Sequence, residues 1–269
     1  MTVKIGICGC GGRMGRMLGH VVHGREGAVL GAGSERPGSE LVGRDLGEVL
    51  GLAHAGVPIT DDAAVLFGAS DVVVDFTTPA STMLHARLAA ETGTGLVVGT
   101  TGLSAEEKAE LGRAAERAPI VFAANMSLGV NLLLGVTRKV AAALDEDFDI
   151  EIVEMHHRHK VDAPSGTALA LAEAAAAGRG VDLDAVADRG RDGVTGPRKR
   201  GAIGMAALRG GDVVGEHQVI FAAEGERIEI GHRATDRGIF ARGGIAAALW
   251  LNGRPPGLYG MDDVLGLAD

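Results

Sequence analysis

TVKIGICGCGGRMG, residues 2–15, is the stretch whose reading decides the fold. Thr2 to Cys8 has the apolar, β-branched character of a strand, Gly9 to Gly15 is a glycine turn, and the residues that follow through His23 pattern as a helix. In that order the glycines let the backbone approach a pyrophosphate, the helix N-terminus stabilises its charge, and Arg13 is placed to add a cation. The glycines stand at 9, 11, 12 and 15, so a strict GxGxxG starting at Gly9 would need glycine where Met14 stands. Context supplies what the spacing lacks. A second strand, Ala28 to Gly33, ends just before Ser34, Glu35 and Arg36, about twenty residues after the turn. An acid there suits the ribose hydroxyls of an adenosine, and Arg36 suits a 2'-phosphate or the adenine face, so the pair points to use of both NADH and NADPH.

Beyond this unit, strand and helix patterns alternate: Asp71 to Asp75, helix Ala80 to Glu91, Gly95 to Val98, helix Ser104 to Arg117, Ile120 to Phe122. That rhythm predicts an α/β, Rossmann-type doubly wound parallel sheet with helices on both faces. Ligands of such sheets bind outside the carboxyl ends of the strands, which here carry Asp75-Phe76-Thr77, Gly99-Thr100-Thr101-Gly102 and Ala123-Ala124-Asn125-Met126. Thr77 and Pro79 are also explained as a helix cap with proline entering the helix. After a helix beginning near Ser127 the character changes. Strands are predicted at Phe148 to Val153, Gly204 to Leu208, Val213 to Ala223 and Arg227 to His232, separated by loops, which suggests a second α+β domain with an open mixed sheet. The last helix, Ile239 to Leu251, and the tail through Leu265 are apolar enough to pack back on the first domain. The expected division is 1–126, joined by 237–269, as a dinucleotide-binding domain, and 127–236 as a substrate-binding and oligomerisation domain.

Chemistry concentrates in EMHHRHKVDAPSGT, Glu154 to Thr167, with three histidines, an arginine and a lysine in five residues. The cluster is expected on a loop between the strand ending at Val153 and an alanine-rich helix, Ala168 to Ala177. Ser165 is a good N-cap, and Gly166 and Thr167 offer first-turn N–H groups to a carboxylate. His156, His157, Arg158, His159 and Lys160 can bind a second anionic group or move a proton. A small, multiply anionic substrate follows. The bland alternatives are a solvated basic loop and a zinc site, but neither an HExxH pattern nor clustered cysteine supports a metal.

The remaining composition limits the function classes. A chain of 269 residues, 46% of them hydrophobic, can bury a core for two domains, and its net charge of −9 argues against nucleic acid despite the basic run Arg198-Lys199-Arg200, which reads as a solvated loop. No membrane span or signal peptide is evident, so a cytoplasmic protein is expected. Cys8 and Cys10 read as small packed residues rather than ligands or a disulfide.

Taken together, GCGGRMG at 9–15, Glu35-Arg36, DFTTP at 75–79, VGTTG at 98–102, FAANMSLGVN at 122–131, EMHHRHKVDAPSGTA at 154–168 and RGGDVVGEH at 209–217 make the chain resemble, nearly end to end, the dihydrodipicolinate reductase family of bacterial lysine and diaminopimelate biosynthesis. The resemblance implies NAD(P)H-dependent reduction of the dehydrated form of 4-hydroxy-2,3,4,5-tetrahydrodipicolinate to 2,3,4,5-tetrahydrodipicolinate, a small cyclic dicarboxylate. It implies that Gly9, Cys10, Gly11, Gly12, Arg13, Met14, Glu35, Arg36, Gly99, Thr100, Thr101, Ala123, Ala124, Asn125 and Met126 contact NADH or NADPH. His157, Gly166 and Thr167 would bind substrate carboxylates, His156 and Lys160 would be catalytic, no metal would be needed, and the assembly would be a homotetramer joined through the second-domain sheets. Met126 stands where some relatives carry an aromatic residue, so stacking on the cofactor would differ there. Two other functions compete: a nicotinamide-binding sensor without turnover, and a dehydrogenase of a semialdehyde, which if acylating would want a cysteine nucleophile.

Overall fold

Two compact units make up the computed structural model, which describes residues 2–267; one runs to Leu128 and resumes at Gly238, and the other spans Gly129–Arg237. The first unit begins with β1 (Val3–Cys8), α1 (Arg13–Gly24), β2 (Ala28–Ser34), α2 (Leu46–Val49), β3 (Ile59–Thr60) and α3 (Ala63–Gly68). It continues with β4 (Val72–Asp75), α4 (Pro79–Thr92), β5 (Gly95–Val98), α5 (Ala105–Ala115) and β6 (Pro119–Phe122). Then come α6 (Leu128–Ala143), β7 (Asp149–His156), α7 (Gly166–Arg179), α8 (Leu183–Val186), β8 (Ala187–Asp188), β9 (Ile203–Arg209), β10 (Gly215–Ala223) and β11 (Glu226–Ala234). The chain closes with α9 (Gly238–Leu251), β12 (Gly257–Tyr259) and α10 (Met261–Leu265).

The first sheet has seven parallel strands in the order β12-β6-β5-β4-β1-β2-β3. Its strands are near-continuous apolar runs because both faces are covered. Period two divides their side chains: Val72, Val74 and Val97 join Leu18 and Ile245 in one core, whereas Val73, Leu96 and Val98 join Leu66, Ala86 and Leu111 in the other. Local signals end the helices. Ser104 and Glu107 form a reciprocal capping box at α5, and Gly93, in the left-handed region, stops α4. The N-cap of α4 is Thr78, with Pro79 at the first turn, rather than Thr77, because Thr77 is engaged by Asp75. Short β3 and β12 had no periodicity from which to be read; β12 forms only because Gly257 to Tyr259 finds the free edge of β6.

The second sheet has five strands, β11-β10-β7-β9-β8, antiparallel across β11, β10 and β7 and parallel across β7, β9 and β8. One face, carrying Ile150, Ile152, Met205, Val219 and Phe221, packs on Leu133 of α6 and Leu171 and Ala175 of α7. The structure departs from expectation at β7, which continues three residues past Val153 to His156. Glu154 and Met155 pair with both β9 and β10 and His156 pairs with β9, which carries all three into the sheet, so the loop begins only at His157. Among the described residues, no helix is long and apolar enough to cross a membrane.

The basic run at 198–200 is also not simply solvated. Arg198, 17% exposed at its side chain, donates to Asp149, to Glu151 and to the carbonyls of Ile150 and Ala202. It ties the edge of β7 to the start of β9. Replacing Arg198 with Ala removes the donor to Asp149 and to two carbonyls and leaves Glu151 with Arg191 alone, and is expected to lower unfolding free energy by about 1–3 kcal/mol. Urea denaturation measures this; an unchanged midpoint would show the arginine to be a surface residue.

Candidate active site

The glycine turn of the first unit is explained by steric demands at two positions. Gly9 has φ +62°, a left-handed conformation, and a Cβ on Gly15 would lie 2.2 Å from the Gly9 carbonyl oxygen. Gly15 thus supplies the close helix-to-turn packing that the GxGxxG spacing would have placed at Met14. Gly12 is the N-cap of α1 and brings no side chain to it, so the first-turn amides of Arg13 and Met14 have no side-chain cap. The Gly11 amide donates to Glu35 at 2.7 Å, which locks the carboxylate at the end of β2 onto the turn, and Arg36 beside it is exposed. Side chains of two predicted contacts point elsewhere. Cys10 is fully buried and Met126 is 1% exposed, both in the core with Leu18 and Ile245.

At the carboxyl ends of β4 and β5, buried Asp75 is a hub that sequence reading missed as such. It accepts from Thr77 N and Oγ1 at 2.8 and 2.6 Å, from Thr82 Oγ1 at 2.9 Å and from His85 Nδ1 at 2.8 Å. Burial alone would raise its pKa, but the bonds from His85, Thr77 and Thr82 outweigh it and the carboxyl lies below its ordinary value. Thr100 bonds both Thr77 N and Thr82 Oγ1, so the VGTTG and DFTTP segments are held as one piece, with Thr101 exposed beside them. Gly99, Ala123 and Asn125 are part-exposed and Ala124 is exposed, in keeping with a strand-end crevice. The Cys8 thiol sits 3.8 Å from His85 Nε2, on the ring edge opposite Asp75. That is a relay through two different ring nitrogens rather than a convergent metal cradle. Burial pushes the Cys8 thiol up and the Cys10 thiol up to about 12, so neither is a thiolate nucleophile for an acylating mechanism.

In the second unit the sheet register assembles the histidine motif. His156 is paired with Arg209 across β7 and β9, and Glu154 with His217 across β7 and β10. Glu154, 1% exposed, accepts from His156 Nδ1 at 2.6 Å, from Ser165 N at 3.0 Å and from both Arg209 Nη atoms at 2.8 Å. Burial would raise its pKa; Arg209, His156 and the Ser165 amide together bring it below the usual value. The His156 and His217 rings meet edge to face at 5.1 Å, and His217 Nε2 bonds Ser165 Oγ at 3.1 Å. Ser165 is the N-cap of α7, accepting from Ala168 N, and nothing crowds Gly166 at the helix start. Lys160 pairs with Asp162 at 2.8 Å, and His157 has a buried Nδ1 without a protein hydrogen-bond partner. The structure therefore gathers His156, Ser165 and Gly166 around three residues that sequence reading did not single out as site residues, namely Glu154, Arg209 and His217. All three lie inside the quoted motifs, which is the signal that could have found them.

With that geometry in hand, comparison with known proteins is decisive. The sequence model of the dihydrodipicolinate reductase N-terminus matches residues 3–126, and that of its C-terminus matches residues 129–265. The chain belongs to the dihydrodipicolinate reductase family. A 4-hydroxy-tetrahydrodipicolinate reductase of Roseobacter denitrificans is 57% identical over 267 residues, covering 99% of this chain and 98% of that one. That of Dinoroseobacter shibae is 59% identical over 261 residues, 97% of each. Among solved structures, the dipicolinate-bound dihydrodipicolinate reductase of Paenisporosarcina sp. TG-14 superposes with a TM-score of 0.77 at 27% identity, covering 97% of this chain and 98% of its own. An amine dehydrogenase of Mycobacterium smegmatis, at 15% identity and TM-score 0.60, shares the fold. The family's enzymes are oxidoreductases, and so is this chain.

Burial, with the neighbouring His156 adding to it, depresses His217 to about 4, while the unfolded imidazole titrates near 6.5. The unfolded state therefore takes up a proton that the folded state refuses, and stability is lost as pH falls from about 6.5 toward 4. The loss attributable to His217 is on the order of 2–3 kcal/mol. Urea melts across this range should show it, and His217→Gln should flatten it; equal slopes in both proteins would contradict the assignment.

Proposed function

We propose that this chain reduces the dehydrated form of 4-hydroxy-2,3,4,5-tetrahydrodipicolinate to 2,3,4,5-tetrahydrodipicolinate with NADH or NADPH, a step of diaminopimelate and lysine biosynthesis. The supporting observation is that His156, held on a buried carboxylate, shares one structural shell with the N-cap of an open helix N-terminus, which suits a proton-transfer group beside a carboxylate seat. That combination matches a cyclic dicarboxylate better than a neutral or singly charged acid.

The glycine turn fits a dinucleotide. The uncapped amides of Arg13 and Met14, with Gly12, receive the pyrophosphate; Glu35 and Arg36 meet the adenosine end, and Arg36 gives a 2'-phosphate its cation. Thr100, Thr101 and the backbone of Ala123, Ala124 and Asn125 hold the nicotinamide end, kept rigid by the Asp75 hub. When bound, NAD(P)H supplies the hydride. The chain's own residues do the rest. Gly166 and Thr167 hold one substrate carboxylate at the start of α7, and His157 holds the second. Lys160 polarises the ring nitrogen where negative charge gathers, and His156 delivers or accepts the proton.

We also read the enzyme as a cytoplasmic homotetramer. Support for assembly comes from the second sheet's other face, where Val153, Met155, Ala206, Leu208 and Ile220 lie outside the helix-packed core and Leu208 is 51% exposed.

Loss of reduced-nicotinamide absorbance, with substrate generated in place from pyruvate and aspartate semialdehyde by the preceding synthase, should depend on both proteins and proceed with either cofactor. His156→Gln and Lys160→Ala should each lower kcat by about 10²–10⁴-fold while NADH still binds. Near-wild-type turnover in both variants would sink the assignment of these two residues.

A further inference from the structure

We propose that the 209–217 connection, RGGDVVGEH, which joins the two strands flanking β7, β9 and β10, positions His156, and that Glu154 is the central positioning residue. The inference rests on His156 being the proton-transfer group. An ionised carboxylate only accepts hydrogen bonds, and Glu154 is kept ionised by two Arg209 donors and the Ser165 amide. The 2.6 Å contact between Glu154 Oε2 and His156 Nδ1 therefore places the proton on Nδ1. In the neutral ring Nε2 is then left bare, the tautomer required to take a proton from, or after protonation to return it to, a reacting group.

Three residues of this connection complete the arrangement. Arg209, at the end of β9, fixes both Glu154 oxygens and anchors on the carbonyls of Leu208 and Asp162. Gly215 opens β10 where a Cβ would stand 3.0 Å from His156 Nε2, so the missing side chain keeps that nitrogen clear. His217 closes the far edge of the ring and carries Ser165, the cap of α7, on its Nε2. Of the two imidazoles, 5.1 Å apart, only His156 bonds a carboxylate. The charged groups around the pair are Glu154 on β7, Arg209 on β9, His232 on β11 and Lys160 on the following loop, the last paired with Asp162. One motif thus sets the tautomer of the proton-transfer group and the position of the helix cap at the same time.

Glu154→Gln separates this role from a merely structural one. A glutamine can keep its oxygen for Arg209 Nη2 and the Ser165 amide, losing the bond from Arg209 Nη1, while presenting an NH₂ to His156 Nδ1, which drives the ring to the Nε2–H form. Long-range ¹⁵N–¹H NMR of histidine-labelled protein, with the His156 signal identified by its loss in His156→Gln, should show Nδ1–H in the wild type and Nε2–H in E154Q. In E154Q, kcat should fall at least about tenfold with the KM for NADH unchanged. Gly215→Ala, whose backbone needs no unusual φ, should lower kcat with the Nδ1–H signature intact. A wild-type Nε2–H signal, or a tautomer indifferent to E154Q, overturns the positioning role. An active H156Q overturns instead the catalytic reading of His156 on which the kinetic consequence depends, so the two failures are distinguishable.

Discussion

A carboxylate buried without compensation would cost several kcal/mol or protonate, and Glu154 does neither because Arg209, His156 and the Ser165 amide converge on it. Each of these donors comes from a different part of the second unit. Arg209 ends β9, His156 ends β7, and Ser165 caps α7, so satisfying one charge fixes where two strands and a helix stop relative to one another. His156 and the start of α7 inherit their geometry from that requirement.

The first unit has a counterpart in Asp75. Here too a buried carboxylate is paired with an imidazole and surrounded by hydroxyl and amide donors at the carboxyl ends of parallel strands. It holds the DFTTP and VGTTG segments together at the strand ends. Both hubs sit where backbone must turn out of a sheet, and in both the ionised acid replaces hydrogen bonds that the turning backbone and hydroxyls would otherwise lose.

Much of this was legible because local chemistry and global fold agree. Val72 to Asp75 and Gly95 to Val98 are apolar runs whichever way they are read, Ser104 and Glu107 announce a capping box, and Ser165-Gly166-Thr167 announces a helix start. The misreadings occurred where a partner distant in sequence decided the outcome. His156 is a strand residue because β9 pairs with it, and Arg198 is engaged because Asp149 and Glu151 face it. No window of neighbouring residues carries that information.

The sequence by itself determined the family, the two kinds of sheet, the glycine turn and the histidine motif, because each is a pattern of contiguous residues whose physics is local. Tertiary structure alone decided that Glu154, His156, Arg209 and His217 share one network and that Gly15 rather than position 14 closes the turn. The reason is that strand register, a property of two chain segments together, sets which side chains meet and which imidazole nitrogen carries the proton.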